Sequence, residues 1–188
     1  MAKKLKILND NIFYCEGFWD KEICQTIIFR VEESQIFPAK ETVVSQNTLD
    51  DNLQSRNNFK VYLDNQELAD IIYESLYKHL AKIKHEEYSP SSIHSNLRVY
   101  KYIPGQEFKK HRDGGIGVSK EEKSLYSLLI YLNDNFSGGS TRFNNIDIIP
   151  KQGSALFFPH ELEHSGEIVS TGNKYVLRGN IVFKKNKL

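Results

Sequence analysis

Apolar residues in the N-terminal half of the chain recur every three or four positions in two segments. In the segment 20–33 they share one face of a predicted helix: Ile23, Ile27, Ile28 and Val31. In the segment 65–83 a longer stripe has the same period: Leu68, Ile72, Leu76, Leu80 and Ile83. This spacing is typical of amphipathic helices, so we predict two of them. Asp64 and Glu67 are placed as a capping pair for the second helix.

After Pro90 the pattern changes to short runs of β-branched and aromatic residues, separated by glycine, proline, asparagine and aspartate. Such runs are typical of a β-sandwich or barrel. Strands are predicted near 96–103, 124–132, 140–143, 146–149, 154–158, 166–170 and 174–184. Two stretches lack periodicity. The polar segment 46–58 is predicted to form a loop or irregular strands, and the glycine-containing segment 114–123 is predicted to form a mobile loop.

Two of the predicted strands have one largely polar face. In 96–102 this face consists of Asn96, Arg98, Tyr100 and Tyr102, and in 174–180 it consists of Lys174, Val176, Arg178 and Asn180. Alternate residues of a strand point to the same side of the sheet. These faces either contact solvent or line the mouth of a barrel that binds a polar ligand. The alternation alone leaves both interpretations open.

Length and composition favour one globular domain over residues 1–188, with a helical or irregular part (1–90) before a β core (91–188). The 25 basic and 24 acidic residues give a net charge of +1, so no overall charge attracts the chain to nucleic acid or to an anionic membrane. Aromatic and basic residues do not alternate as in single-stranded nucleic-acid sites. Apolar runs fall short of the ~20 residues that span a bilayer, and no signal peptide is evident. We expect a cytoplasmic protein without nucleic-acid or membrane partners.

Three residues in the C-terminal half have the chemistry and spacing of a metal site. His111 and Asp113 are two positions apart, so both side chains leave the same face of an extended segment and can converge on one ion. His164 follows another predicted strand and is the candidate third ligand. Two imidazoles and one carboxylate leave three coordination positions open, as in non-haem iron(II) oxygenases. A closed structural zinc site needs four protein ligands.

Lys174 lies ten residues after His164, on the polar face of the last predicted strand. A cation at this position can bind the distal carboxylate of an anionic cosubstrate. The alternative is an ordinary solvated lysine. A His-x-Asp motif is common by chance, so the three candidate ligands by themselves indicate only an open metal site.

Several blocks of sequence follow one another between residues 96 and 184. They are Leu97–Gly105, His111–Asp113, Leu128–Asp134, Gly138–Phe143, Gly153–Phe158, His164 and Lys174. In order and spacing these blocks resemble the prolyl 4-hydroxylase-type branch of the iron(II)/2-oxoglutarate-dependent dioxygenase family. Gly17–Asp20, at the start of the first predicted helix, resembles the N-terminal region of that family more loosely.

The resemblance implies a mainly β fold in which a double-stranded β-helix (jelly-roll) core is supported by N-terminal α-helices. His111, Asp113 and His164 match the catalytic residues that bind Fe(2+) in the family. The implied dioxygenase reaction consumes 2-oxoglutarate and O2, hydroxylates an unactivated C–H bond, and releases succinate and CO2. L-ascorbic acid is expected to act as a reductant.

Three further residues match positions that bind 2-oxoglutarate in the family. Lys174 matches the basic residue that pairs with the 5-carboxylate, Tyr131 a tyrosine that helps to hold it, and Tyr102 a tyrosine beside the metal. Without the resemblance, packing is the ordinary role of a strand tyrosine. Some branches use arginine as the basic residue. Arg178, however, lies ~13 Å further along the strand, so Lys174 and Arg178 cannot both bind the same carboxylate.

The resemblance implies that the substrate is a prolyl residue of a protein or peptide. Candidate substrate contacts are two loop residues, Arg56 and Asn58, two rim residues, Arg98 and Arg178, and the loop 114–117. Two alternatives stay open. A hydroxylase of a free amino acid or another small metabolite would use the same iron and cosubstrate site. A non-catalytic metal-binding jelly-roll module would explain the β pattern and would produce no succinate.

Overall fold

The computed structural model describes residues 4–9, 11–33, 58–83 and 85–186. The predicted loop 46–58 lies outside the described residues except for Asn58, and the candidate substrate contact Arg56 lies outside them as well. The two predicted helices are present as α1 (Lys21–Glu33) and α2 (Gln66–Leu80). Within the described ranges, no helix is long and apolar enough to cross a membrane.

Fourteen strands are found in the described part of the chain. In chain order they are β1 (Lys4–Asn9), β2 (Ile12–Glu16), β3 (Phe59–Asp64), β4 (Tyr88–Ile93), β5 (Asn96–Tyr102), β6 (Phe108–His111), β7 (Glu122–Tyr131), β8 (Ser137–Gly138), β9 (Thr141–Phe143), β10 (Asp147–Ile148), β11 (Ala155–Pro159), β12 (His164–Gly166), β13 (Val169–Thr171) and β14 (Lys174–Lys185). Helix α1 lies between β2 and β3 in the chain, and α2 lies between β3 and β4.

Eight of the strands form a large antiparallel sheet. Seven of them follow the order β1, β2, β11, β7, β14, β5, β3, and β4 pairs with the C-terminal part of β14. A second sheet has the order β10, β9, β12, β6, and β8 pairs with β13. Strand β14 is central, since it pairs with β7 on one side and with β5 and β4 on the other.

The two faces of the large sheet are covered by different elements, because alternate residues of a strand point to opposite sides. On one face, Leu177 of β14 belongs to a buried cluster that includes Ile72 of α2. On the other face, the adjacent Val176 belongs to a cluster that includes Phe143 of the second sheet. One layer of core therefore lies under the helices and another lies between the sheets. The predicted mainly β fold, with a jelly-roll core supported by helices, is confirmed.

The N-terminal part of the chain contains more strands than predicted. β1, β2 and β3 belong to the large sheet, so the interpretation of residues 1–90 as helical or irregular is wrong for these strands. The first four residues of β2 are all buried, and a short continuous apolar run cannot be assigned from periodicity alone. The strand predicted at 166–170 is two strands, because pairing changes from the second sheet to β8 within this segment.

A close backbone contact joins the start of α1 to the turn before β11. The N–H of Trp19 donates to the carbonyl oxygen of Gly153 at 2.8 Å. Gly153 has a φ of +75°, and a Cβ atom at this position would lie 2.0 Å from the carbonyl oxygen of Trp19. Only glycine tolerates both this conformation and this approach. The contact explains why a glycine is needed in the block that leads into β11.

The N-cap of α2 is one residue later than predicted. The side-chain oxygen of Asn65 accepts a hydrogen bond from the N–H of Leu68 at 2.9 Å. Asp64 is the last residue of β3, and its carboxylate accepts a hydrogen bond from Ser95 Oγ at 2.6 Å. The predicted capping pair of Asp64 and Glu67 is therefore wrong, because strand pairing keeps Asp64 in the sheet.

Replacing Asn65 with alanine is expected to lower the free energy of unfolding by about 1 kcal/mol, because an N–H of the first turn loses its acceptor. Urea unfolding followed by circular dichroism measures this change. The matched control is Gln66→Ala, which removes an exposed contact between Gln66 Nε2 and Asp70 and should cost less than about 0.5 kcal/mol. Equal losses in the two variants would contradict the capping role of Asn65.

Candidate active site

Strands β6 and β12 bring two histidines together. His111 ends β6, His164 begins β12, and the two residues are partners across the antiparallel pair. Asp113 Oδ1 lies 3.6 Å from Nε2 of His111, and Oδ2 lies 3.7 Å from Nε2 of His164. One candidate ligand atom from each residue lies within 4.8 Å of the others. The convergence predicted from the His-x-Asp motif and His164 is confirmed.

Backbone carbonyl groups determine which nitrogen of each ring faces the centre of the cluster. Nδ1 of His111 lies 2.7 Å from the carbonyl oxygen of Lys109, and Nδ1 of His164 lies 2.9 Å from that of Leu162. A carbonyl oxygen only accepts hydrogen bonds, so each Nδ1 carries a proton and each Nε2 faces Asp113. Nε2 of His111 is buried and has no hydrogen-bond partner among the residues that the structure describes. Two such nitrogens and a carboxylate fit a divalent transition metal, and the carbonyl contacts are of the kind that orient metal-binding histidines.

The protonation states of the cluster also suit a metal. Burial by itself would raise the pKa of Asp113, but the contact with the His111 ring and the charge of Arg178 hold this pKa well below its usual range. Burial lowers the pKa of His164, which favours the neutral ring. An ionised carboxylate and neutral imidazoles are the forms that bind metal ions.

Arg178 is a neighbour of Asp113 and is buried. Its Nη2 lies 3.3 Å from Asp113 Oδ1, and its Nη1 donates to Asn180 Oδ1 at 2.9 Å. The residue is 6% exposed, so the predicted position of Arg178 at the rim is wrong. The reason is the central place of β14 between β7 and β5, which turns this face of the strand toward the space between the sheets. Within one cavity, Arg178 contacts Asp113 whereas Lys174 contacts the carbonyl oxygen of Gly139, as their spacing along the strand requires.

Lys174 is a buried cation in the same cavity as the metal cluster. Its Nζ donates to the carbonyl oxygen of Gly139 at 2.7 Å and lies 5.2 Å from the ring centroid of Tyr102 and 5.8 Å from that of Tyr131. No carboxylate of the described residues lies within ion-pair distance of it. Burial lowers the pKa of Lys174 to about 7. The alternative of an ordinary solvated lysine is excluded by this position.

The two tyrosines predicted near the cosubstrate differ in position. Tyr102 lines the cavity. Tyr131 is fully buried beneath it, and its hydroxyl donates to Thr141 Oγ1 at 2.8 Å. Thr141 lines the cavity, as does Tyr100 on the polar face of β5. Thr141 and Tyr100 were not predicted as site residues. Thr141 lies in the block Gly138–Phe143, and Tyr100 lies on the polar face of the strand predicted at 96–102.

Two further candidate substrate contacts, Asn58 and Arg98, are not among the residues that line this cavity. Asn58 directly precedes β3, is almost fully buried, and has a side-chain oxygen without a hydrogen-bond partner in the described part of the chain. Arg98 of β5 pairs across the strands with Tyr62 of β3, and its guanidinium lies 5.5 Å from the ring centroid of that tyrosine. The Nε of Arg98 is buried and has no hydrogen-bond partner among the described residues. Arg98 pairs across the strands with Arg178, so β5 places it beside the strand that carries the site cations.

The loop predicted to be mobile is hydrogen bonded to β7. The N–H of Ile116 donates to Ser124 Oγ at 2.7 Å, and the N–H of Ser124 donates to the carbonyl oxygen of Ile116 at 2.8 Å. Further along, Gly117 forms an isolated bridge with Lys123. The first part of the loop is thus attached to the strand that runs beneath the metal cluster.

Residues 97–182 match the family model described as the 2OG-Fe(II) oxygenase superfamily. The match extends from β5 to β14 and includes the metal cluster and Lys174. This part of the chain is thus similar to 2OG-Fe(II) oxygenase domains. Proteins of this superfamily use Fe(2+), 2-oxoglutarate and O2, which agrees with the donor set of the metal cluster.

A protein of Acanthamoeba polyphaga mimivirus, provisionally named a prolyl 4-hydroxylase, is 32% identical to this chain over 113 residues. The match covers 49% of this chain and 46% of the relative, so the chain spans about half the length of that relative. About half of this chain is therefore recognisably similar in sequence to that protein.

Three solved prolyl hydroxylases have a similar fold. The viral collagen prolyl hydroxylase of Paramecium bursaria Chlorella virus-1, in its 2-oxoglutarate complex, is 21% identical with a TM-score of 0.64, over 93% of this chain and 96% of that one. The enzyme of Trichoplax adhaerens, in complex with a peptide fragment of the hypoxia inducible factor oxygen degradation domain, is 13% identical with a TM-score of 0.67, over 92% and 84%. A prolyl-4-hydroxylase of Pseudomonas putida is 14% identical with a TM-score of 0.60, over 94% of both chains. At these identities the likeness shows the fold.

Proposed function

We propose that this chain is an iron(II)- and 2-oxoglutarate-dependent dioxygenase that hydroxylates a prolyl residue of a protein or peptide. The observation that carries the proposal is one cavity in which the His111, Asp113 and His164 cluster lies together with Lys174, a buried cation without an acidic partner among the described residues. One oxygen atom of O2 enters the hydroxyl group of the product and the other enters succinate, and CO2 is released.

His111, Asp113 and His164 would hold iron(II) on one side and leave three coordination positions open. When bound, the iron supplies the activation of O2, which is coupled to the oxidative decarboxylation of 2-oxoglutarate. The protein keeps the two histidines oriented through the carbonyl groups of Lys109 and Leu162. It also keeps Asp113 ionised, so the ligand set is ready before a metal arrives.

We infer that Lys174 binds the 5-carboxylate of 2-oxoglutarate. An ion pair with this carboxylate would offset the unfavourable burial of an unpaired ammonium group. Thr141 can add a second contact: because Tyr131 donates to its Oγ1, the hydroxyl proton of Thr141 is free to donate to a carboxylate oxygen. Tyr102 lines the cavity beside these groups and limits its volume.

A peptide substrate is supported by the relatives and by the surface next to the site. The Trichoplax adhaerens enzyme was solved with a bound peptide. In this chain, Tyr62 is 56% exposed, with the Lys60 ammonium 4.6 Å from its ring centroid and the Arg98 guanidinium on the same ring. An exposed aromatic ring with cations suits a proline-containing peptide, since the ring offers an apolar face and the cations offer donors.

Three further expectations belong to this proposal. Ascorbate would serve as a reductant that keeps the metal in the iron(II) state. The enzyme would act in the cytoplasm. It would have no nucleic-acid or membrane partner, as the balanced charge of the chain suggests.

The proposal predicts that the iron-loaded protein, with 2-oxoglutarate and ascorbate, adds one oxygen atom to proline in a panel of proline-containing peptides. Tandem mass spectrometry locates the modified residue, and succinate is measured in the same reaction. Asp113→Ala should abolish both products, because the anionic ligand is lost. Arg98→Ala should raise the KM for the peptide and leave the dissociation constant of 2-oxoglutarate unchanged.

Other outcomes would overturn parts of the proposal. Oxygenation of free amino acids or other metabolites alone would contradict the peptidyl-proline assignment and favour a small-molecule hydroxylase. Metal binding without any turnover of 2-oxoglutarate, under conditions in which a known relative is active, would favour the non-catalytic metal-binding module.

The pKa of Lys174 leads to a pH dependence of cosubstrate binding. Above about pH 7 the ligand-free lysine loses its proton, whereas a bound carboxylate favours the ammonium form, so binding takes up a proton. The dissociation constant of 2-oxoglutarate from the Mn(II)-loaded protein is therefore expected to rise about tenfold per pH unit above this pH. Calorimetry in buffers of different ionisation enthalpy measures the uptake, and Lys174→Arg should show none, because a guanidinium keeps its charge. A wild-type enthalpy that does not depend on the buffer would contradict this account.

A further inference from the structure

A chain of hydrogen bonds connects the loop after Asp113 to the carboxylate of Asp113 itself. Ile116 N–H donates to Ser124 Oγ at 2.7 Å, and Ser124 Oγ lies 3.0 Å from Nε2 of His160. Nδ1 of His160 lies 2.9 Å from Ser127 Oγ, which in turn donates to Asp113 Oδ2. His160 is therefore the central link between a loop and a candidate metal ligand.

The direction of every bond in this chain follows from counting protons. Asp113 is ionised and only accepts, so the single proton of Ser127 is used on Asp113 Oδ2. His160 Nδ1 must then donate to Ser127 Oγ. The neutral ring accepts at Nε2, so Ser124 donates there and accepts from the N–H of Ile116. Each donor is used once, and every proton points along the chain toward the carboxylate.

The surroundings of His160 favour this neutral tautomer. The residue is almost fully buried, and its ring nitrogens contact one serine hydroxyl each. One ring proton, on Nδ1, satisfies both contacts, because Nε2 accepts the proton of Ser124. The ring thus relays hydrogen bonds between the two serines.

The backbone of His160 is attached to the same structures as its side chain. Its carbonyl oxygen accepts a hydrogen bond from the N–H of Asp113 at 2.9 Å, and its own N–H donates to the carbonyl oxygen of Leu125 at 2.9 Å. A Cβ atom on Gly115 would lie 3.2 Å from the carbonyl oxygen of Ser124 and 3.6 Å from Cδ2 of His160. The loop therefore lies directly on the ring and on β7.

We propose that His160 is a positioning residue that fixes the plane of the Asp113 carboxylate through Ser127 and couples it to the segment 114–117. Ser127 donates to Oδ2 of Asp113, and Arg178 contacts Oδ1. Both carboxylate oxygens therefore have a protein partner that is not itself a candidate metal ligand. A carboxylate held in this way resists rotation to bidentate coordination, which would occupy a position needed by the cosubstrate or by O2. This inference rests on the proposed function of Asp113 as an iron ligand.

Cobalt(II) binding tests the positioning role without relying on turnover. In His160→Leu the relay is lost, and the affinity for Co(II) should fall about 10- to 100-fold, as is usual when an outer contact of a ligand is removed. The visible spectrum of bound Co(II) should also change, because it reports coordination number and geometry. His160→Asn keeps an N–H where Nδ1 stands, so it should preserve the wild-type spectrum and stay within about threefold of the wild-type affinity.

Two further variants separate positioning from folding. Ser127→Ala removes a single hydroxyl group and should reproduce the spectral change of His160→Leu, so the test stands even if the leucine variant does not fold. His94→Leu is the matched control, because His94 also uses Nδ1 in a hydrogen bond, with the N–H of Asn96, away from the cluster. It should leave the Co(II) spectrum and affinity unchanged.

Failure of this inference can be told apart from failure of the proposed function. Nitrogen NMR of the metal-free protein should show the Nδ1–H tautomer of His160 whether or not a metal binds. If the wild type binds Co(II) and the folded His160→Leu and Ser127→Ala variants match it in affinity and spectrum, the positioning role is overturned. If the wild type binds neither Co(II) nor Mn(II), the proposed function falls and the positioning role falls with it.

Discussion

The pairing of β6 with β12 is the constraint on which the site depends. It places His164 opposite His111, although the two residues are far apart in the chain, and the segment after β6 then brings Asp113 between their Nε2 atoms. The second sheet supplies this pairing, and the large sheet supplies the two cations of β14 behind it. The jelly-roll arrangement thus brings donors from separate strands into one cavity.

Charge is distributed unevenly in this cavity, and the imbalance indicates what the cavity binds. Arg178 contacts Asp113, so the negative charge of the candidate ligand is compensated by the protein. Lys174 has no such partner among the described residues, and its burial is unfavourable until an anion arrives. One cation of the site is paired with Asp113, and the other has no carboxylate partner among the described residues. Such a site is suited to an anionic cosubstrate next to a metal.

The sequence predicted the parts of this arrangement that depend on residue type and spacing. Helices with a clear apolar stripe and the convergence of His111, Asp113 and His164 were predictable because each leaves a local pattern. Strand β2 was not, because its buried apolar run has no period that separates strand from helix. The buried place of Arg178 and the relay through His160 were not predictable either. Both depend on which strands are neighbours, and serine, histidine and arginine are common residues with many ordinary roles.

The most direct test of the central claim is visible absorption of the iron(II)-loaded protein, measured without oxygen as 2-oxoglutarate is added. We expect a weak charge-transfer band that grows to saturation, because 2-oxoglutarate would bind to iron held by the cluster. The band should be lost in His111→Ala. A wild-type protein that is loaded with iron(II) and gives no band at saturating 2-oxoglutarate would contradict the account.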